Sequence, residues 1–151
     1  MPDENEHDEP KLFSLTEAER TRLEVEPLLI EAMEGRRKLN DLAESLAGIA
    51  SGIQLLGGSI PPFRRAVKLR LEHDRLGDSV KDSLERIEST GCVVKDLDIG
   101  LLDFPALLND EEIYYCWKLG EDRIRFYHRQ DEGFAGRKPL DPRDRGPSSI
   151  Q

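Results

Sequence analysis

A chain of 151 residues is long enough for one hydrophobic core and short for two. Its 22 basic against 31 acidic residues leave a formal charge of −9, a field that repels phosphate backbones, so no nucleic-acid partner is expected. Two cysteines far apart, an N-terminus without an apolar signal segment and no run of membrane-spanning length exclude a disulfide framework and a membrane span, and the expected setting is cytoplasmic.

Residues 1–11 carry Asp3, Glu4, Glu6, Asp8 and Glu9 with almost nothing apolar, and are expected to be disordered. Ser14-Leu15-Thr16-Glu17 reads as a capping box that opens a short helix to about residues 24–26. Pro27 lacks an amide hydrogen and clashes with the preceding turn, which predicts a kink or break there. From Val25 the apolar residues Leu28, Ala32, Gly35, Leu39, Leu42, Leu46, Ile49 and Ile53 alternate steps of three and four, the spacing of a coiled-coil seam. Ala43, Ala47 and Ala50 widen that face. The basic clusters Arg36-Arg37-Lys38 and Arg64-Arg65 are interleaved with acids and have no aromatic stacking partners, so they read as solvated helix faces.

Gly57-Gly58-Ser59-Ile60-Pro61-Pro62 is a strong turn signal. A second helix follows from about Phe63 to Thr90 along Ala66, Leu69, His73, Leu76, Val80, Leu84 and Ile87, with Gly91 as its C-terminal cap. Two nearly equal arms joined by a short turn predict an antiparallel helical hairpin. From Cys92 the rhythm becomes alternating, which predicts strands near Cys92–Asp96, Leu101–Ala106, Ile113–Lys118 and Arg123–His128. Pro105 implies an edge position or a bulge. The expected fold is α+β: a long hairpin with a short N-terminal helix, then a meander of three or four antiparallel strands packed on the helices. One domain covers residues 12–139, helical over 12–90 and β-meander and loop over 91–139, with a flexible tail at 140–151.

An even-length turn within residues 119–122 would put Ile113, Tyr115 and Trp117 on one face with Ile124, Phe126 and His128. Tyr114, Cys116 and Lys118 would then share the other with Arg125, Tyr127 and Arg129. The first, more apolar set is expected on the helices.

The run G-C-V-V-K-D-L-D-I-G-L-L-D-F-P-A, then Y-Y-C-W-K-L-G-E-D-R-I-R-F-Y-H, then D-E-G-F-A-G-R-K-P resembles the bacterial and archaeal DUF2203 family, as does the opening L-T-E-A-E-R. The likeness covers residues 12–140. It implies a prokaryotic origin and this architecture, and carries no reaction or catalytic residue. The glycine-rich turn at residues 57–58 departs from the family's pattern.

No complete catalytic constellation is present. The densest chemistry runs from His128 to Arg137. His128, Asp131, Glu132, Phe134 and Arg137 form a candidate ligand site, in which Arg137 would grip a carboxylate or phosphate and Phe134 would stack beside it. His128 with Asp131 or Glu132, joined by Asp103, could hold zinc or manganese. A divalent metal is the one cofactor the donor set would accept. Against both stands a plainer reading, in which these groups satisfy one another and Phe134 plugs the hairpin. Cys116, placed beside the cationic Arg125, is a candidate nucleophile, against which stands the lack of a visible base.

Ile53, Leu55, Leu56, Ile60 and Phe63 crowd the hairpin tip, where a solvated turn would carry polar residues, and mark a candidate interface. The leading functional expectation is a non-enzymatic interaction protein, homodimeric through its helical hairpin. The alternative is an anion or metal site, hydrolytic in its strongest form, at the His128–Arg137 loop.

Overall fold

The computed structural model describes residues 11–55 and 63–140, so the acidic N-terminus, the Gly57–Pro62 turn and the tail lie outside the described residues. Helix α1 runs Leu15–Leu55 and α2 runs Phe63–Glu88. The Glu17 amide donates to Ser14 Oγ at 3.1 Å, and the Ser14 hydroxyl donates to the Glu17 carboxylate at 3.1 Å. The box therefore closes between side chains as well as onto the backbone.

The chain does not break at Pro27: α1 is one helix of 41 residues with the proline inside it. This corrects the expectation of a separate N-terminal helix. Ala18 and Val25 before the proline and Leu29 and Ala32 after it are fully buried on one face, so the same core anchors both sides. Pro27 itself is exposed, as is Leu23, whose carbonyl loses its helical donor and can turn to water.

A Cβ built on Gly35 would meet Val80 and Leu76, while farther along α1 Leu46 shares a groove with Ala66 and Arg70. Partners in α2 thus descend as α1 climbs, and the two helices form an antiparallel hairpin. Gly91, at φ 95°, ends α2, with its amide donating to Glu88 O at 2.9 Å.

The sheet has five strands, not three or four, in the order β1-β2-β3-β4-β5, all antiparallel: Val93–Asp96, Leu101–Leu108, Glu111–Lys118, Phe126–Arg129 and Lys138–Pro139. The extra strand has only two residues and leans on Phe126 and Tyr127, too short to leave an alternating pattern. Gly100, at φ 71°, closes the β1–β2 turn where a Cβ would meet Leu119 at 2.8 Å. Asn109 and Asp110, both at positive φ, make the two-residue β2–β3 turn. Pro105 sits where β2 runs past the end of β1: pairing with β1 stops at Asp103, and Pro105 O accepts from the Phe13 amide at 2.7 Å. On that side the missing amide hydrogen breaks no ladder.

Leu102, Phe104 and Ala106 of β2 pair with Trp117, Tyr115 and Ile113 of β3. That face joins Val25, Leu29, Ala32, Val80 and Ile87 in one core. The β3–β4 register corrects the expected faces. Tyr114 pairs with His128 and Tyr115 with Tyr127, so His128 and Phe126 share Cys116's face, away from the helices. The predicted fourth strand shifts from Arg123–His128 to Phe126–Arg129. The cause is the connection, which is no even turn. Trp117 Nε1 donates to Glu121 O at 3.0 Å, the Lys118 amide donates to Glu121 Oε1 at 2.7 Å, and the Ile124 amide donates to the Glu19 carboxylate. These bonds hold residues 119–125 irregular, and a slip of one residue turns every side chain over.

Candidate functional site

In L-L-D-F-P-A the alternation that sends Leu102 and Phe104 to the helices sends Asp103 to the opposite face. There it pairs with Cys116, and the β3–β4 register brings His128 alongside. His128 Nε2 lies 3.0 Å from Asp103 Oδ1, and His128 Nδ1 lies 2.8 Å from Arg129 O. All three residues are shut off from solvent: Asp103 and His128 are 2% exposed and Cys116 0%. Their donor atoms lie within 4.8 Å of one another, making the one such group of three among the described residues. Tyr114 stacks on His128 with ring centroids 5.4 Å apart.

Burial, and next the Asp103 charge, push the Cys116 thiol up to about 12, while Arg137 pulls the other way. At neutral pH Cys116 is a protonated thiol rather than a ready nucleophile. Its neighbouring cation is Arg137, not Arg125, which pairs with Asp122 at 2.9 Å. Cys92 is pushed up as well, first by burial and then by Asp103 and Glu88.

The segment after β4 roofs this face. The Arg137 guanidinium lies 4.1 Å from the Phe126 ring centroid and 4.4 Å from that of Phe134. Its Nη1 donates to both Glu121 carboxylate oxygens, at 3.0 and 3.2 Å. The carboxylate that Arg137 grips is therefore the protein's own. Glu132 accepts from Lys138 Nζ at 2.8 Å and from the Arg129 amide at 3.1 Å. The Lys138 hydrogen bond, then the Arg129 amide, hold its carboxyl below the usual glutamate range. Asp131 is exposed, on a rim shared with Asp110, Glu111, Glu112 and Gln130.

The residues expected to form one site thus separate. Asp103 and His128 meet in the interior, Arg137 and Phe134 lie in the roof, and Asp131 and Glu132 stand outside the buried group. Cys116 joins the metal-type donors in place of those two acids. Its place was hidden because the expected register put His128 on the other face. The usable signal was Asp103 itself, a charge inside an apolar strand that must find a buried partner.

A second candidate surface is the distal half of the hairpin. Of the five residues expected at the tip, Leu56 and Ile60 lie outside the described residues, while Ile53 and Leu55 belong to the last turns of α1. Phe63, the first residue of α2, is 70% exposed. Nearer the sheet, Leu71 is 59% and Val67 41% exposed, around a groove shared with Leu46 and Ala66. A further groove between the helices has Leu42 and Leu76 at its floor, bordered by Lys38, Asp41, Glu72 and Arg75.

The family model described as an uncharacterised conserved protein, DUF2203, matches residues 11–140. No curated protein and no solved structure matches the chain.

Proposed function

The chain belongs to the DUF2203 family, and from that premise we propose that it is a non-enzymatic interaction protein that pairs with a second copy of itself through the distal half of its helical hairpin. The observation that carries this reading is a seam left half covered. Near the sheet, Val25, Leu29, Ala32, Val80 and Ile87 are buried, because the strands supply the missing side of the core. Beyond Gly35 the seam residues Leu39, Leu42, Leu46 and Ile49 of α1 are only partly covered, as are Ala66, Leu69 and Leu76 of α2. Two helices bury one stripe each against the other, and stable bundles add further helices to cover the flanks. Val67 and Leu71 extend the apolar surface outward.

A second copy suits this surface because its charges are self-complementary. Lys38 and Arg75 alternate with Asp41 and Glu72 around the Leu42–Leu76 groove, so a two-fold axis can set each copy's acids against the other's bases. The arm from Leu39 to Leu55 is about 25 Å long at 1.5 Å per residue, enough for a coiled-coil contact of rather more than two heptads. No described helix is long and apolar enough to cross a membrane.

Sedimentation equilibrium across a wide concentration range tests the reading, with a dimer expected. Val67→Glu combined with Leu71→Glu should convert it to monomer without changing the helical signal, because both side chains are exposed within one chain. A wild-type protein that stays monomeric at the highest concentration sinks the proposal.

A further inference from the structure

The Asp103–Cys116–His128 group carries an inference independent of the dimer. Arg129 O can only accept, so the His128 Nδ1 facing it at 2.8 Å carries the ring's hydrogen. That leaves the Nε2 lone pair aimed at Asp103 Oδ1, 3.0 Å away. Two acceptors at that distance need a cation between them. Without a metal ion it is a proton. An imidazole whose Nδ1–H is anchored on a backbone carbonyl while Nε2 faces a carboxylate is also the arrangement of a metal-ligating histidine.

We propose that Asp103, Cys116 and His128 form a binding site for a divalent transition metal of the zinc type. The donors are one imidazole nitrogen, one carboxylate oxygen and one sulfur. Thiolate with imidazole selects zinc, or cobalt in its place, over the oxygen-seeking magnesium, calcium and manganese. Charge balances without help from solvent. The ion enters as the proton between His128 and Asp103 and the thiol proton of Cys116 leave, two positive charges for two, so the buried group stays neutral. Arg137 adds no net opposing charge, since Glu121 neutralises it. Metal–donor bonds of about 2.0–2.3 Å hold donors roughly 3.5 Å apart, a contraction from the 4.8 Å span that side-chain rotation can make. All three donors stand on paired strands of one sheet, which fixes their bearing better than a loop would. Three protein donors leave a position for water or a second carboxylate oxygen.

The test is titration of the chelator-treated full chain with Co2+ and then Zn2+. One equivalent of Co2+ should raise a thiolate-to-cobalt charge-transfer band in the near ultraviolet together with intense visible bands, and Zn2+ should abolish both. Cys116→Ser should remove the charge-transfer band with the circular dichroism unchanged. His128→Gln should weaken Zn2+ binding by about a hundredfold or more, beyond the roughly 10–100-fold cost of losing an outer partner. Failure to bind one equivalent, or binding that survives both substitutions at full strength through His7, His73 or surface acids, overturns the proposal. Should either variant fail to fold, X-ray absorption of the wild-type cobalt complex decides: one sulfur neighbour supports the site, and a shell of nitrogen and oxygen alone overturns it.

Discussion

Gly35 faces α2, and a Cβ built there would stand 2.5 Å from Val80 Cγ2. The obstructing atom belongs to a β-branched side chain with little rotamer freedom, so the helices rather than the side chain must give. Gly35→Ala gains up to about 1 kcal/mol of helix propensity, but overpacking costs about 1–3 kcal/mol. Net destabilisation of up to about 2 kcal/mol is expected in urea unfolding. Adding Val80→Ala should recover part of the loss, and a double-mutant cycle reads the coupling directly. The buried trio illustrates the opposite principle at the same scale. The Asp103 carboxylate faces His128 Nε2 in the interior, and an ionised carboxylate would not tolerate that burial alone.

At the scale of elements, Pro27 shows how packing overrides a local breaker. Buried Ala18, Val25, Leu29 and Ala32 hold the helix on both sides of it. The proline still costs a hydrogen bond. Pro27→Ala restores it, and against a full interior penalty of about 3 kcal/mol, less the roughly 0.4–1 kcal/mol of unfolded-chain entropy that alanine releases, a gain of about 2 kcal/mol is expected. Chemical unfolding with unchanged m-value would register it. The roof segment has its own pH dependence. Glu132's folded carboxyl titrates below its unfolded value, so its contacts with Lys138 and Arg129 are fully effective above the ordinary glutamate range. They are lost as pH falls through the depressed folded value. The protection factors of amides at residues 130–138, taken against the intrinsic rate at each pH, should therefore fall in acid before those of β2 and β3, and Glu132→Gln should abolish this step.

For the whole molecule, the hairpin divides into a half that the sheet covers and a half that it does not. In dilute solution, amides of α1 beyond Leu42 and of α2 before Leu76 should exchange faster than those near Ala32 and Ile87. Raising the protein concentration should protect the distal set selectively if two arms pair, whereas equal rates at all concentrations would speak against pairing. The division was partly visible in the residues. Steps of three and four along Val25–Ile53 and Ala66–Ile87 mark both helices, and the change to alternation after Gly91 marks the sheet. Neither pattern says where coverage by the strands stops, because the same spacing runs through both halves.

Periodicity and turn residues were enough to establish two long antiparallel helices and a following antiparallel sheet, since each is written in neighbouring residues. The likeness to DUF2203 rested instead on the residue runs between Gly91 and Pro139, and the family model bears it out. Continuity through Pro27, the fifth strand and the faces of β4 were decided only in three dimensions. Each depends on contacts between distant residues: Ala18 with Leu29 on one core, Lys138 with Tyr127, and Glu19 with Ile124. The candidate site follows the same rule. Asp103 announced that a partner was needed, but the register that brings Cys116 and His128 to it is set by an irregular connection, which no local spacing encodes.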